Sequence, residues 1–304
     1  MSEDFAEWTD PLDPNDGRKD GVRASPSYAE IKYRKRILNA AYAEIYVASN
    51  IYTYWWPWRL QKPAYAGERV RHMANSGYIL DSGIGDDVSN QEVIDTAADL
   101  RASYVIAKDY LDDPDASVNS VLDFLDTYDD HPTVESRVIV PLQRPHVESF
   151  DSLDDHGVFD HPDVSRVALG GLAPYAPDVQ VRALRQFHEG AGRRADLDVH
   201  ALGMGASTKL VRAVRDNPDL IDSLDLSTPE QMAKNSRYPG ERWEQNDGYV
   251  VPGERSGVFR GLVSAVIATR LAYEMSPLPD VEKDSRLDVD DGVVQATLGG
   301  ENRV

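Results

Sequence analysis

Short apolar runs recur through the middle of this chain, and several are followed by stretches whose apolar positions fall three and four residues apart. The runs occupy residues 44–48, 78–80, 103–107, 137–140, 166–169, 199–202 and 223–226. The helical stretches between them include 88–102, 117–127, 179–190 and 207–217. Runs this short suit buried strands, and the three-to-four spacing is the helical period. Strands that alternate with helices pair in parallel, because each helix carries the chain back to the start of the next strand. In a chain of 304 residues, seven such units favour an α/β fold closed as a (β/α)8 barrel, the TIM-barrel architecture, over an open doubly wound sheet. The eighth strand is obscure, and residues 248–251 are its only candidate. The reading predicts one barrel domain over 28–275. A polar arm rich in Asp, Pro and Gly occupies 1–27, and an acidic tail 276–304.

The charge has an unusual make-up. Of 52 acidic residues 36 are Asp, and of 32 basic residues only 8 are Lys, for a net charge of −20. Short carboxylates with Arg in place of Lys form the pattern of proteins from salt-saturated cytoplasm. A merely acidic protein that avoids polyanions is the plainer alternative. At molar salt the screening length falls to about 3 Å, so acidity then excludes few partners. With no cysteine, disulfides and thiolate metal sites are ruled out, and the histidines show no metal-binding spacing. Met1 to Asp4 is acidic and does not read as a signal peptide. The most apolar helix candidate, 256–275, is interrupted by Arg260 and Arg270, so no membrane span and a cytoplasmic protein are expected.

In a parallel barrel, chemistry is carried at the C-terminal ends of the strands. Those ends hold Asn50, Asp81, Asp109, Gln143, Gly170, Gly171, Gly203, Met204, Gly205 and Asp225. Asp caps helices and fills turns, so one Asp here means little. Joint placement of polar residues and glycines at successive ends is harder to dismiss. Two carboxylates, Asp81 and Asp225, suggest a double displacement at a sugar carbon. One would trap an oxocarbenium-like centre covalently while the other moves a proton.

Four segments, in order, carry a family resemblance. Asp81-Ser-Gly-Ile-Gly85 resembles the Asp-Ser-Gly-Gly-aromatic motif of the tRNA-guanine transglycosylase superfamily. Gly170-Gly-Leu-Ala173 resembles that family's Gly-Gly-Leu-Ala loop. The segment from His200 to Gly205 is similar to its Leu-Gly-Val-Gly strand end. Leu224 to Pro229 is similar to its Phe-Asp-Cys-Val-x-Pro segment, with the same Asp-to-Pro spacing. The resemblance implies that Asp225 is the nucleophile at C1′ of the target nucleoside and that Asp81 handles protons on the departing and incoming bases. It implies base recognition by Asp109 and Gln143, and contact with the heterocycle by Gly170, Gly171 and Leu172. Ser82, Gly83, Gly203 and Met204 fall within the same motifs as substrate-binding positions.

The departures are informative. The tRNA enzymes carry a Cys/His zinc site after the nucleophile strand, which a cysteine-free chain lacks. Their Pro-Thr-Arg step is Pro229-Glu-Gln231 here, Ile84-Gly85 replaces their Gly-aromatic step, and the part before Asp81 is short. These losses resemble the zinc-free branch that exchanges guanine in DNA for a 7-deazaguanine, found in viruses and genomic modification clusters. The implied partners are DNA, or tRNA in the rival reading, and the free 7-deazaguanine base. The location is then the cytoplasm of the host cell if the protein is virus-encoded. No cofactor or metal is implied. A homodimer or partner subunit stays open, as does a silent barrel that only positions nucleic acid.

The aromatic cluster Tyr52-Thr-Tyr-Trp-Trp-Pro-Trp58 could stack on unpaired bases, but a packed loop near the barrel mouth is the preferred reading. Arg59, Lys62, Arg69 and Arg71 follow it. With Lys234, Arg237 and Arg242 they are candidate phosphate contacts or plain surface charges. His156 and His161 read as solvated.

Overall fold

The computed structural model describes residues 28–48, 55–74, 76–83, 88–191, 197–235, 237–238, 249–250 and 257–280. Eight parallel strands form a closed barrel in chain order: β1 (Glu44–Ala48), β2 (Trp58–Gln61), β3 (Gly77–Asp81), β4 (Tyr104–Ile106), β5 (Arg137–Leu142), β6 (Val164–Leu169), β7 (Asp198–Ala201) and β8 (Ser223–Leu226). Pairing of β1 with β8, from Glu44 opposite Ser223 to Val47 opposite Leu226, closes the ring. The (β/α)8 barrel expected from the alternation is therefore the fold.

Alternation within each strand sorts side chains into two layers. Tyr46, Leu60, Ile79, Ile106, Ile139, Ala168 and Leu202 form a small cluster inside the barrel. Their strand neighbours, such as Val47, Leu80, Val105, Val140, Val167 and Leu224, belong to a larger core beneath the helices. Both faces are buried, which is why the strands read as apolar runs rather than as alternating patterns. Gly77 lies at an inward position near the start of β3. A methyl group there would stand 2.7 Å from the Tyr46 hydroxyl and 3.0 Å from the Trp58 ring, so the missing side chain makes room for two large ones.

The helices are α1 (Tyr28–Ala40), α2 (Glu68–Met73), α3 (Asn90–Leu100), α4 (Pro114–Asp130), α5 (His146–Asp155), α6 (Pro177–Gly190), α7 (Thr208–Asp216), α8 (Thr228–Lys234) and α9 (Gly257–Glu274). Side-chain caps fix three of their starts. Ser89 accepts from the Glu92 N–H, Asp113 from that of Ala116 and Ser207 from that of Leu210, each satisfying an otherwise unpaired first-turn donor. The apolar α9 packs on α1, α8 and β1. No helix among the described residues is long and apolar enough to cross a membrane.

One strand differs from expectation. Tyr249–Val250 pairs antiparallel with Arg237–Tyr238 in a separate two-stranded sheet, and the remaining barrel strand is β2. Its sequence, Trp-Arg-Leu-Gln, offers one aliphatic residue. Arg59 and Gln61 are nevertheless buried, and the Gln61 side chain is held by the Tyr65 carbonyl and the Tyr78 hydroxyl. A strand whose outward positions are polar and yet buried leaves no apolar run to read.

Candidate active site at the mouth of the barrel

Four candidate residues share the inward register at the C-terminal end. Asp81 ends β3, Asp225 is the third residue of β8, Gln143 follows β5 and Gly170 follows β6. Each is two or four residues beyond an interior residue of its own strand: Ile79, Ser223, Ile139 and Ala168 respectively.

Asp225 is buried, with 7% of its surface exposed. The Gly203 N–H donates to its Oδ1 at 2.6 Å. Gly203 has a φ of +66°, in the left-handed region that glycine enters without strain. On the same Oδ1, His200 Nε2 approaches to 3.3 Å. His200 is itself wholly buried.

Asp81 is half-buried at the mouth. Burial is the main influence on its carboxyl, followed by the nearby Asp109 charge. Asp225 adds to the rise, while the Gly83 N–H and Lys62 oppose it, and the result is pushed up to about 7. Asp81 therefore exchanges a proton near neutrality, as an acid and base in turn must. Both carboxylates expected from strand ends lie at inward register positions of the mouth, and the Asp225 charge acts on Asp81. Next to Asp81, Ser82 is buried, and its hydroxyl has no hydrogen-bond partner among the described residues. Gly83, at φ +76°, leaves space that the Lys62 side chain occupies.

Asp109 and Gln143 form a second, buried unit. The Gln143 amide donates to Asp109 Oδ2. Burial raises the Asp109 pKa against the lowering effect of that bond. The Gln143 carbonyl is anchored by the Ser149 hydroxyl at 2.8 Å. The glycine pair makes room for this unit: a methyl group on Gly170 would lie 2.8 Å from Gln143 Nε2, and one on Gly171 2.7 Å from Gln143 Oε1. Gly171 also has a positive φ, +68°.

Leu172 and Met204 are placed differently. Both side chains pack into the outer core. Gln180 on α6 donates to both of their carbonyls, at 3.1 and 3.3 Å, and ties the loops after β6 and β7 together. Sequence reasoning passed over Gln180. Its signal is a polar residue on the apolar stripe of α6, four and seven residues before buried Leu184 and Phe187. His146 was missed as well. Its Nε2 meets the Gly170 carbonyl at 2.9 Å, and burial holds its pKa down, so the neutral ring donates there. Asn90 accepts from the Lys108 N–H through Oδ1 and so fixes the residue before Asp109.

Among the described residues, the exposed large apolar side chains are Tyr65, Tyr110, Leu111 and Tyr175. All four lie on connections leaving the C-terminal ends of β2, β4 and β6. The Arg144 guanidinium stacks over the Tyr175 ring, 4.3 Å from its centroid, and Lys108 Nζ lies 5.5 Å from that of Tyr110. Aromatic and cationic groups therefore stand together on the connections after β4, β5 and β6. The expected aromatic cluster is not this rim, because Trp56 is fully buried and donates to the Ile45 carbonyl. Tyr52, Thr53 and Tyr54 lie outside the described residues, as do Asn50, Ile84, Gly85 and Arg242.

Several surface readings need correction. Arg59 is buried, and the half-buried Arg71 binds the carbonyls of Ala74, Leu100 and Arg101; burial of the one and backbone carbonyls on the other account for them without phosphate. His161 is not solvated, since it pairs with Asp129 at 2.9 Å against the Tyr128 ring. His156, in contrast, is exposed as expected and contacts the Ser152 carbonyl. Among the described residues, no cluster of three His, Asp or Glu is placed to hold a metal ion.

No known protein-family model matches the sequence, and no curated protein matches it. Among solved structures the chain is similar to the YdjI aldolase from Escherichia coli K12, with 12% identity and a TM-score of 0.47, over 82% of this chain and 95% of that one.

Proposed function

We propose that this barrel exchanges guanine in DNA for a 7-deazaguanine by pentosyl transfer through a covalent intermediate on Asp225. The observation that carries the reading is the pair of facing carboxylates. Asp225 is held by a glycine N–H on one oxygen, and Asp81 is poised to take and give a proton near pH 7. In the first step Asp225 Oδ2 bonds to C1′ as the bond from C1′ to the base nitrogen breaks, and protonated Asp81 gives its proton to the departing base. In the second, the incoming base returns a proton to the Asp81 carboxylate, its nitrogen attacks C1′, and Asp225 leaves. Configuration at C1′ is retained after two inversions. Asp109 and Gln143 together present acceptors and a donor to a purine edge. Tyr110, Tyr175 and Arg144 offer stacking surfaces to the strand from which the base is drawn. The cysteine-free sequence, which rules out the thiolate zinc site of the tRNA enzymes, favours DNA over tRNA.

The test offers DNA or tRNA carrying labelled guanine, at high salt, with unlabelled 7-cyano- or 7-aminomethyl-7-deazaguanine. Label is expected to leave DNA. Release from tRNA alone would move the protein to the tRNA branch, and release from neither would favour a silent barrel. A second expectation concerns the base site. Gly170→Ala should force Gln143 off Asp109 and weaken binding of the free base about 10- to 100-fold, the cost of unpairing one or two buried polar groups. Calorimetric titration with the 7-deazaguanine measures it; unchanged affinity would separate Asp109 and Gln143 from base recognition.

A further inference from the structure

The barrel interior holds a polar chain that leads from its floor to Asp225. At the N-terminal end, Arg166 reaches across the barrel. Its Nε meets Asp198 at 3.2 Å and its Nη2 meets Glu44 at 3.0 Å and the Tyr104 hydroxyl at 3.1 Å. Burial works against this guanidinium, but Tyr46, Glu44, Tyr104 and Asp198 together outweigh it, so the charge is secure. Nη1 donates to Ser223 Oγ at 3.1 Å. Ser223 Oγ in turn lies 2.9 Å from His200 Nδ1. His200 Nε2 then stands 3.3 Å from Asp225 Oδ1, without the alignment of a finished hydrogen bond, and has no other partner among the described residues. Tyr46 packs edge-on against the imidazole, 6.0 Å between centroids.

The order of donors follows from counting protons. Arg166 can only donate, so Ser223 Oγ accepts from it. Ser223 is wholly buried, and the acceptor within reach of its hydroxyl proton is His200 Nδ1; any other orientation strands that proton in the core. Nδ1 is therefore the unprotonated nitrogen and Nε2 carries the hydrogen. The opposite tautomer would turn a lone pair on Nε2 toward the Asp225 carboxylate, at a cost in a dry interior.

We infer that His200 is a positioning residue for Asp225, its Nε2–H tautomer fixed from below by Ser223 and Arg166 so that the ring and the Gly203 N–H together hold Oδ1 and turn Oδ2 to the substrate. The role in catalysis rests on the base-exchange reading; the tautomer does not. Neither residue stands out in the sequence, where a histidine and a serine in strands read as core. The fully desolvated imidazole, with one nitrogen aimed at a carboxylate, is what distinguishes them.

Two measurements test the inference on the full-length protein. The first is the ring-nitrogen spectrum of histidine-labelled protein, with the His200 signal assigned from its absence in His200→Gln. The Nε2–H tautomer is expected in the wild type, and Ser223→Ala should give a mixture. An Nδ1–H tautomer in the wild type would overturn the relay. The second is single-turnover formation of the covalent intermediate. His200→Phe is expected to slow it about 10- to 100-fold, the usual range when an orienting outer partner is lost, with KM for DNA unchanged. His200→Gln, whose amide places an N–H where Nε2 stood, should recover to within about threefold. Equal rates in wild type and His200→Phe, or equal loss in the Phe and Gln variants, would remove the positioning role. Should the wild type exchange no base at all, the proposed reaction falls, and the spectrum still decides the relay.

Discussion

Asp225→Ala is expected to form no covalent adduct with DNA and to lose base exchange by about 10⁴-fold or more, the scale of losing a nucleophile whose partners remain in place. Wild-type protein quenched with denaturant in mid-reaction should carry a mass increment equal to the DNA strand less the departed guanine, and the variant none. Alanine also strips the Gly203 N–H of its acceptor, which costs about 1–3 kcal/mol of stability, so a dead variant could be dead through misfolding. Asp225→Asn separates the two causes. It keeps an oxygen for Gly203 and His200, retains the fold and lacks the nucleophilic charge. Exchange at wild-type rates by either variant would remove Asp225 from the chemistry.

Asp81→Asn should lower exchange by about 10²- to 10⁴-fold, the usual worth of a positioned acid–base group, and at the same time stabilise the protein at pH 8. The two effects share one cause. Burial and the charges of Asp109 and Asp225 push the folded-state carboxyl up to about 7, whereas an unfolded chain ionises near pH 4. Between these values the folded protein holds a proton that the unfolded chain has released, so rising pH favours unfolding. Below about pH 4 both states are protonated and the residue is neutral to stability. The gap between Asp81→Asn and wild type should therefore be absent at pH 4, open toward pH 7 and stay constant above. Because Asp81 keeps some contact with solvent, the plateau is roughly 1–3 kcal/mol rather than the full value of the shift. Denaturant midpoints at pH 4, 6 and 8 measure it. A gap that does not vary with pH would show that Asp81 is not the strained group.

Much of the frame was readable because a parallel barrel buries both faces of its strands. Seven of the eight strands announced themselves as apolar runs, and the helices after Ser89 and Ser207 were legible from their apolar spacing. β2 was not readable, because two of its four residues, Arg59 and Gln61, are polar yet buried, and a weak apolar run at Tyr249 looked more like a strand. In the site, Asp81, Gln143, Gly170 and Asp225 could be found because strand parity decides which side chains point inward. Asp109, three residues past the end of β4, was found as a strand-end residue, and its bond to Gln143 places it in the same unit. His146, Gln180 and His200 were hidden for a different reason: their roles depend on partners 24 or 25 residues away in sequence, or on carbonyls that any residue could provide. The mouth tyrosines were hidden because exposure is a property of the packed molecule and not of the local sequence.

Closure of the barrel through β1 and β8 has a consequence for how the chain is made. Glu44 finds its partner only when Ser223 exists, and α9, which lies on both α1 and β1, comes later still. A chain emerging from the ribosome therefore carries an open, unpaired strand edge for most of its synthesis, and contacts this distant in sequence form slowly. Asp225 itself stands on the last strand to arrive. The pair of mouth carboxylates is thus assembled at the step that closes the ring, and a truncated or stalled chain ending before β8 holds Asp81 without Asp225 and presents its open edge to other chains.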